Sequence, residues 1–279
     1  MDISVKPRLI GDDIFFNFKE IDYPTNTDGN IIAKLQTEEL DGVINKNVFS
    51  EKEVNEILEA VKLIPESEKL NNYVGQSFPH DFGTVTNNNE RLENYLDRLA
   101  TFNSLPFQKL TNRLDEFFNK IGASFKSGVP NFKHNNKETS PGNFRFLMPN
   151  KGVLFVHCGY LLQTSAEYFY NNVNHIKREG QLSFFLMLQY PEQGGELTIY
   201  DLLWKGVNKK DIFEQNKYVI DKNGEKVFLD NVKKFTVRPS PGDVVVFKGG
   251  PIWHRVEDIK GELNRITFGG FINFSEDNN

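Results

Sequence analysis

Two histidines set among apolar residues stand out in this chain. His157 lies in the run Val153-Leu154-Phe155-Val156-His157-Cys158-Gly159, and His254 in Trp253-His254-Arg255-Val256. Neutral imidazole is a good ligand for a first-row metal such as iron. Alternate residues of a strand share a face, so a strand carrying His157 turns residue 159 the same way. His-x-Asp or His-x-Glu on such a strand, completed by a distant His, makes a facial triad of two imidazoles and one carboxylate on a metal. Here the third position is Gly159, which contributes no ligand and leaves the place to an exogenous one. The bland alternative is a β-sandwich with two buried histidines, and this pair alone leaves both readings open.

Arg265 follows eleven residues after His254, and Arg265-Ile266-Thr267 sets a guanidinium and a hydroxyl on one strand face. An Arg fork takes a carboxylate bidentately, and the neighbouring hydroxyl adds a third hydrogen bond. Among Ile266, Phe268 and Phe271 such a cation needs an anion, either a bound carboxylate or a structural partner such as Asp243 or Glu196. Arg145 is read either as an anion neighbour of His157 or as a strand-surface residue. His134 and His175 sit in polar stretches and read as solvated. His80, in Phe78-Pro79-His80-Asp81, reads as structural, with a pocket-lining role as the alternative. Cys158 is next to a candidate ligand but on the opposite strand face, which favours packing over chemistry.

The positioning elements change period along the chain. The first 45 residues alternate short apolar patches with turns. Ser50-Glu51-Lys52-Glu53 is a capping box opening a helix with Val54, Ile57, Leu58, Val61 and Ile64 on one face, and Pro65 ends it. Further helices are expected over about 89–102 and 107–121, and a loop over 123–142. From Asn143 onward short strands separated by Pro, Gly and Asn dominate, including one over 152–159. The expected class is α+β, a double-stranded β-helix (jelly roll) with packed N-terminal helices. The chain reads as a single domain: residues 1–142 mostly helical, 143–279 the jelly-roll core, with 201–233 either a helical lid over the pocket or a surface insertion.

Composition narrows the class. The formal net charge is −5, with Lys and Glu interspersed, which argues against nucleic acid and membrane-surface partners. The single cysteine rules out an internal disulfide and fits a reducing cytoplasm. No run approaches the ~18 apolar residues of a membrane span, and Met1–Lys6 lacks a signal core. The 25 Phe suit either a pocket for a hydrophobic small molecule or ordinary core packing. Oligomeric state is left open.

The residues from 143 to 274 resemble the iron(II)/2-oxoglutarate-dependent oxygenases. The resemblance rests on His157, Pro191-Glu192-Gln193-Gly194-Gly195-Glu196-Leu197, Pro241-Gly242-Asp243 before an apolar strand, Trp253-His254-Arg255-Val256, and Arg265-Ile266-Thr267. Gly159 marks the halogenase subgroup. Tyr200, Trp204 and Gly269-Gly270-Phe271 extend the similarity to the freestanding aliphatic halogenases of the cyanobacterial indole-alkaloid (hapalindole/welwitindolinone) type.

That resemblance implies that His157 and His254 hold Fe(II), that 2-oxoglutarate chelates it, and that Arg265 and Thr267 bind the far carboxylate. It further implies that chloride takes the position beside Gly159. With O2, 2-oxoglutarate becomes succinate and an unactivated aliphatic carbon of a free small molecule is chlorinated. One alternative is a hydroxylase using water or a remote carboxylate, Glu196 or Asp201, as third ligand. The other is a non-catalytic 2-oxoglutarate-binding protein.

Overall fold

The computed structural model describes residues 9–10, 16–25, 29–72, 75–79, 89–122, 133–134, 137–138, 140–151, 154–160, 180–207, 217–272 and 274. The strand-rich half builds two facing sheets. The larger has eight strands in the spatial order β2 (Phe18–Asp22), β3 (Gly42–Lys46), β15 (Val244–Phe247), β9 (Leu182–Gln189), β18 (Arg265–Ile272), β8 (Asn143–Leu147), β5 (Gly75–Phe78) and β4 (Leu70–Asn72). The smaller runs β1 (Leu9–Ile10), β14 (Lys234–Val237), β11 (Leu197–Leu203) and β16 (Ile252–Val256). Together they form the jelly-roll core. Three ribbons accompany them: β6 (Lys133–His134) with β7 (Lys137–Glu138), β10 (Gln193–Gly194) with β17 (Ile259–Lys260), and β12 (Tyr218–Ile220) with β13 (Lys226–Phe228).

The large sheet is apolar on both faces because each face is covered. One face carries Phe144, Phe184, Val244, Val246 and Phe268, against which the helices pack. Helix α2 (Glu51–Val61) buries Val54, Ile57, Ala60 and Val61. Its capping box forms as expected: Ser50 Oγ accepts from Glu53 N at 3.3 Å, and Glu53 Oε2 accepts from Ser50 N at 2.7 Å. Helices α3 (Asn89–Ser104) and α4 (Gln108–Lys120) add Tyr95, Leu96, Leu99, Leu110, Leu114, Phe117 and Phe118. Aromatic contacts join the two layers, with ring centroids 4.8 Å apart for Phe107–Phe144 and 5.0 Å for Phe118–Phe184. The other face looks into the barrel, where Ile44, Leu197, Ile199, Phe235, Val245, Phe247 and Ile252 fill the interior.

The structure differs from the sequence reading in four places. Four strands of the large sheet, β2 to β5, precede Asn143, so the front part contributes edge strands as well as helices, together with the short helix α1 (Ile31–Gln36). These strands are three to five residues long, too short for an alternation to declare itself. The ribbon β6–β7 lies within the stretch expected to be loop. The described part of 201–233 is a hairpin between short 3-10 turns and contains no α-helix. It backs the site from outside, with Val219 and Leu229 packed beside Val156, Cys158, Tyr200 and Trp253.

The fourth difference is at 152–159, where no continuous strand forms among the described residues. Only His157 pairs, in an isolated antiparallel bridge with His254. Pairing stops there because Gly159 and Tyr160 turn helical, and their N–H groups donate to Gly249 O at 2.7 Å and Gly250 O at 3.0 Å. No helix among the described residues is long and apolar enough to cross a membrane.

Candidate active site

His157, Gly159, His254, Arg265, Thr267 and Arg145 line one cavity at the end of the barrel, with Leu147, Leu154, Phe185 and Phe247 among its apolar walls. The strand register explains the convergence. Thr267 on β18 stands opposite Arg145 on β8, and Arg265 opposite Leu147. Alternation then puts Arg265, Thr267 and Arg145 on the inner face. On the facing sheet, His254 pairs with Ile199 of β11, and its neighbours Trp253 and Arg255 turn outward. Trp253 packs with Cys158 in the outer cluster, in keeping with the packing role read for that thiol, and Arg255 pairs with Glu257 at 2.9 Å.

The two imidazoles are held alike. Each backbone N–H donates to the other residue's carbonyl, at 2.9 and 2.8 Å, and the ring centroids are 4.5 Å apart. Nδ1 of His157 lies 2.8 Å from Phe155 O, and Nδ1 of His254 2.8 Å from Ile252 O. A carbonyl only accepts, so each Nδ1 carries the proton and each Nε2 keeps its lone pair. Burial pushes His157 down to about 4, with the charge of Arg145 acting in the same direction. Burial, and then the neighbouring His157, hold His254 well below the ordinary imidazole value. Both rings are therefore neutral at physiological pH, with a backbone carbonyl fixing the tautomer as is usual for a metal-ligating histidine. Two such Nε2 donors fit divalent iron. Among the described residues, no three of His, Cys, Asp and Glu cluster as a metal site.

Arg265 is 4% exposed, and among the described residues its guanidinium makes one hydrogen bond, from Nη1 to Thr267 Oγ1 at 3.5 Å. Its Nε is buried with no partner, and no carboxylate among the described residues lies within 4.0 Å. The ring of Phe185 sits beneath it, 5.4 Å from the guanidinium carbon. Burial lowers its pKa to about 10. The structural partners weighed for it are engaged elsewhere. Glu196 pairs with Arg238, and Asp243 accepts from Asn47 N at 2.9 Å and Ser240 N at 2.7 Å. A buried guanidinium with an orphaned donor costs free energy unless an anion meets it. The site thus fits the carboxylate end of a bound acid. Glu196 and Asp201, the remote carboxylates weighed as a third metal ligand, are not among the cavity-lining residues, and Asp201 is exposed.

The glycine-rich motifs serve this geometry. Gly194 takes φ +75°, and a Cβ there would collide with Asp258 O across the β10–β17 ribbon. Gly242 takes φ +92° in the turn that delivers Asp243 into β15, and its N–H donates to Met187 O at 2.8 Å. Of the remaining histidines, His80 and His175 lie outside the described residues, and His134 is in β6. Gln181, buried at 2% exposure beside Gly159, was not singled out from sequence. It precedes a strand in an unremarkable polar context, and only the fold brings it to position 159.

A model of the family described as carrier-protein-independent halogenase WelO5 matches residues 15–279. No curated protein matches the sequence. The solved structure of an N-substituted L-amino acid dioxygenase from Burkholderia ambifaria AMMD is similar with a TM-score of 0.54 at 14% identity, covering 90% of this chain and 90% of that one. The structure of that dioxygenase in complex with alpha-KG gives 0.52 at 13%, covering 87% and 89%. At such identities the likeness is one of fold.

Proposed function

The chain belongs to the family of the carrier-protein-independent halogenase WelO5, within the iron(II)/2-oxoglutarate-dependent oxygenases, and we propose that it chlorinates an unactivated aliphatic carbon of a free small molecule. His157 and His254 are the protein ligands to Fe(II), each through Nε2. Arg265 and Thr267 take the far carboxylate of 2-oxoglutarate, and chloride takes the position beside Gly159. When bound, iron and 2-oxoglutarate supply the O2 chemistry, in which the cosubstrate loses CO2 and becomes succinate. The protein's own part is charge, position and exclusion of water. A carboxylate at 159 would occupy the third position and add a negative charge, whereas Gly159 does neither.

The observation that carries the halogenase reading is the charge around the histidine pair. Among the described residues the cavity presents two arginines, Arg145 and Arg265, and no carboxylate. A divalent cation there, neutralised by a bound dicarboxylate, keeps room for a further anion. The apolar walls favour a hydrophobic substrate, and the family description favours one that is free rather than carrier-bound.

The test incubates the protein with Fe(II), 2-oxoglutarate, O2 and chloride over a panel of free indole-alkaloid-type molecules. Mass spectrometry reads chlorine against oxygen incorporation. Chlorinated product supports the reading; oxygenated product that never carries chlorine overturns it. Gly159→Asp is expected to abolish chlorination, and unchanged chlorination in that variant would refute the halide position.

A further inference from the structure

We propose that Gln181 holds the space that a metal-ligating carboxylate at position 159 would need, and presents its side-chain amide there to halide. The halide part rests on the halogenase reading above; the packing part stands without it.

The backbone of Gly159 is clamped by its N–H bond to Gly249 O, at 2.7 Å, and by the bond from Tyr160 to Gly250. The direction in which residue 159 would project a side chain is therefore set. A Cβ built there runs first into Oε1 of Gln181, and then comes within 3.1 Å of Gly250 Cα and 3.3 Å of Gly249 O. Two of these walls are main chain and cannot retreat without moving the turn. The remaining wall is the end of the Gln181 side chain.

Gln181 is itself anchored. It is 2% exposed, it leads directly into β9, and its carbonyl abuts Gly250, where a Cβ would stand 2.7 Å away. The Gly249–Gly250 turn thus seats Gly159 on one side and the Gln181 backbone on the other. Gly159 lines the cavity with His157 and His254, whereas Gln181 is not among the cavity-lining residues. Its Oε1 stands where a Cβ of residue 159 would be, which sets the amide against Gly159, next to the third position of the histidine pair.

The chemistry of that choice is specific. A carboxamide is neutral, so it fills volume near the metal position without competing as a charged ligand. Rotation by a half-turn exchanges its oxygen for an NH2 group, which donates to an anion. Halogenase character on this view takes two residues: Gly159, which removes the carboxylate, and Gln181, which occupies part of the space it would need. Regaining a third protein ligand would require Gly159→Asp together with a small residue at 181.

Two measurements test this. In the metal-free protein, thermal unfolding is compared for wild type, Gly159→Ala, Gln181→Ala and the double variant. Gly159→Ala is expected to lower Tm, and that loss should fall by at least half when Gln181 is already Ala. Additive losses would overturn the packing relation.

The second measurement titrates chloride into the anaerobic protein with Fe(II) and 2-oxoglutarate, following the visible charge-transfer band. Wild type should saturate, and Gln181→Leu should need about tenfold more chloride, the loss of roughly one hydrogen bond to an anion. Equal chloride dependence in the two proteins overturns the amide's role toward halide. A wild type with no chloride response sinks the halogenase reading and that role together, while the metal-free comparison still decides the packing.

Discussion

Gly195 lies directly against the stem of Arg265: a Cβ on residue 195 would stand 3.1 Å from Arg265 Cδ and 2.8 Å from Pro191 Cγ. The Glu-x-Gly-Gly-Glu-Leu motif therefore supports the anion site from beside it rather than contributing a ligand. Gly195 also holds φ at +74°, which L side chains rarely adopt. Gly195→Ala should cost about 1–2 kcal/mol from the backbone alone, a few degrees of Tm. It should also raise the apparent KM for 2-oxoglutarate by displacing the guanidinium. A lowered Tm with an unchanged KM would show that Arg265 does not depend on this contact.

Arg265→Ala should weaken 2-oxoglutarate binding by 30-fold or more, since truncating one side of a buried charge pair costs about 2–5 kcal/mol. Arg265→Lys should fall between, because an ammonium offers a point charge where the fork offers two parallel donors. Ligand-induced stabilisation gives the readout. At about 100 times its wild-type Kd, 2-oxoglutarate should add roughly 2.7 kcal/mol to wild type, and in the Ala variant the same concentration should add about 0.9 kcal/mol or less, a thermal upshift of about a third or smaller. An upshift of wild-type size in Arg265→Ala would exclude this guanidinium as the binding group.

Replacing His157 or His254 with Ala should take bound Fe(II) from about one equivalent per chain to near none, because two protein donors are already the minimum for retention. Equilibrium dialysis with metal analysis checks it, and Co(II) absorption serves as an oxygen-insensitive substitute. Full stoichiometry in either variant would move the metal away from this pair.

Ser50→Ala should lower stability by about 1 kcal/mol through loss of the N-cap acceptor of α2, and should leave the KM for 2-oxoglutarate unchanged. Helix α2 packs on the face of the large sheet turned away from the cavity, so its cap bears on stability and not on the site. A changed KM would reveal coupling through β15 or β9.

Much of the candidate site's lining could be read before any coordinates. His157, His254, Arg265 and Thr267 are buried polar residues within apolar stretches of sequence, a combination that costs free energy and so marks itself in one dimension. Short apolar runs punctuated by Pro, Gly and Asn placed β9, β14, β15 and β18 within a residue or two, and the capping box at Ser50 and Glu53 is local chemistry that survives any tertiary context. The short strands β2 to β5 escaped because three to five residues carry too little pattern. The segment 201–233 read as either a helical lid or a surface insertion, and its described part holds the β12–β13 hairpin and no α-helix.

Other features belong to three dimensions alone. Whether Arg265 answered a structural carboxylate depended on where Glu196 and Asp243 point, and they point to Arg238 and to the Asn47 and Ser240 backbones. Arg145 joined the cavity through its register opposite Thr267, a pairing between strands more than a hundred residues apart. The meaning of Gly159 changed most. As a letter in the chain it is only a missing carboxylate. In the fold its surroundings are set by the Gly249–Gly250 turn and the Gln181 side chain, because packing distant segments against one Cα decides what that Cα can carry.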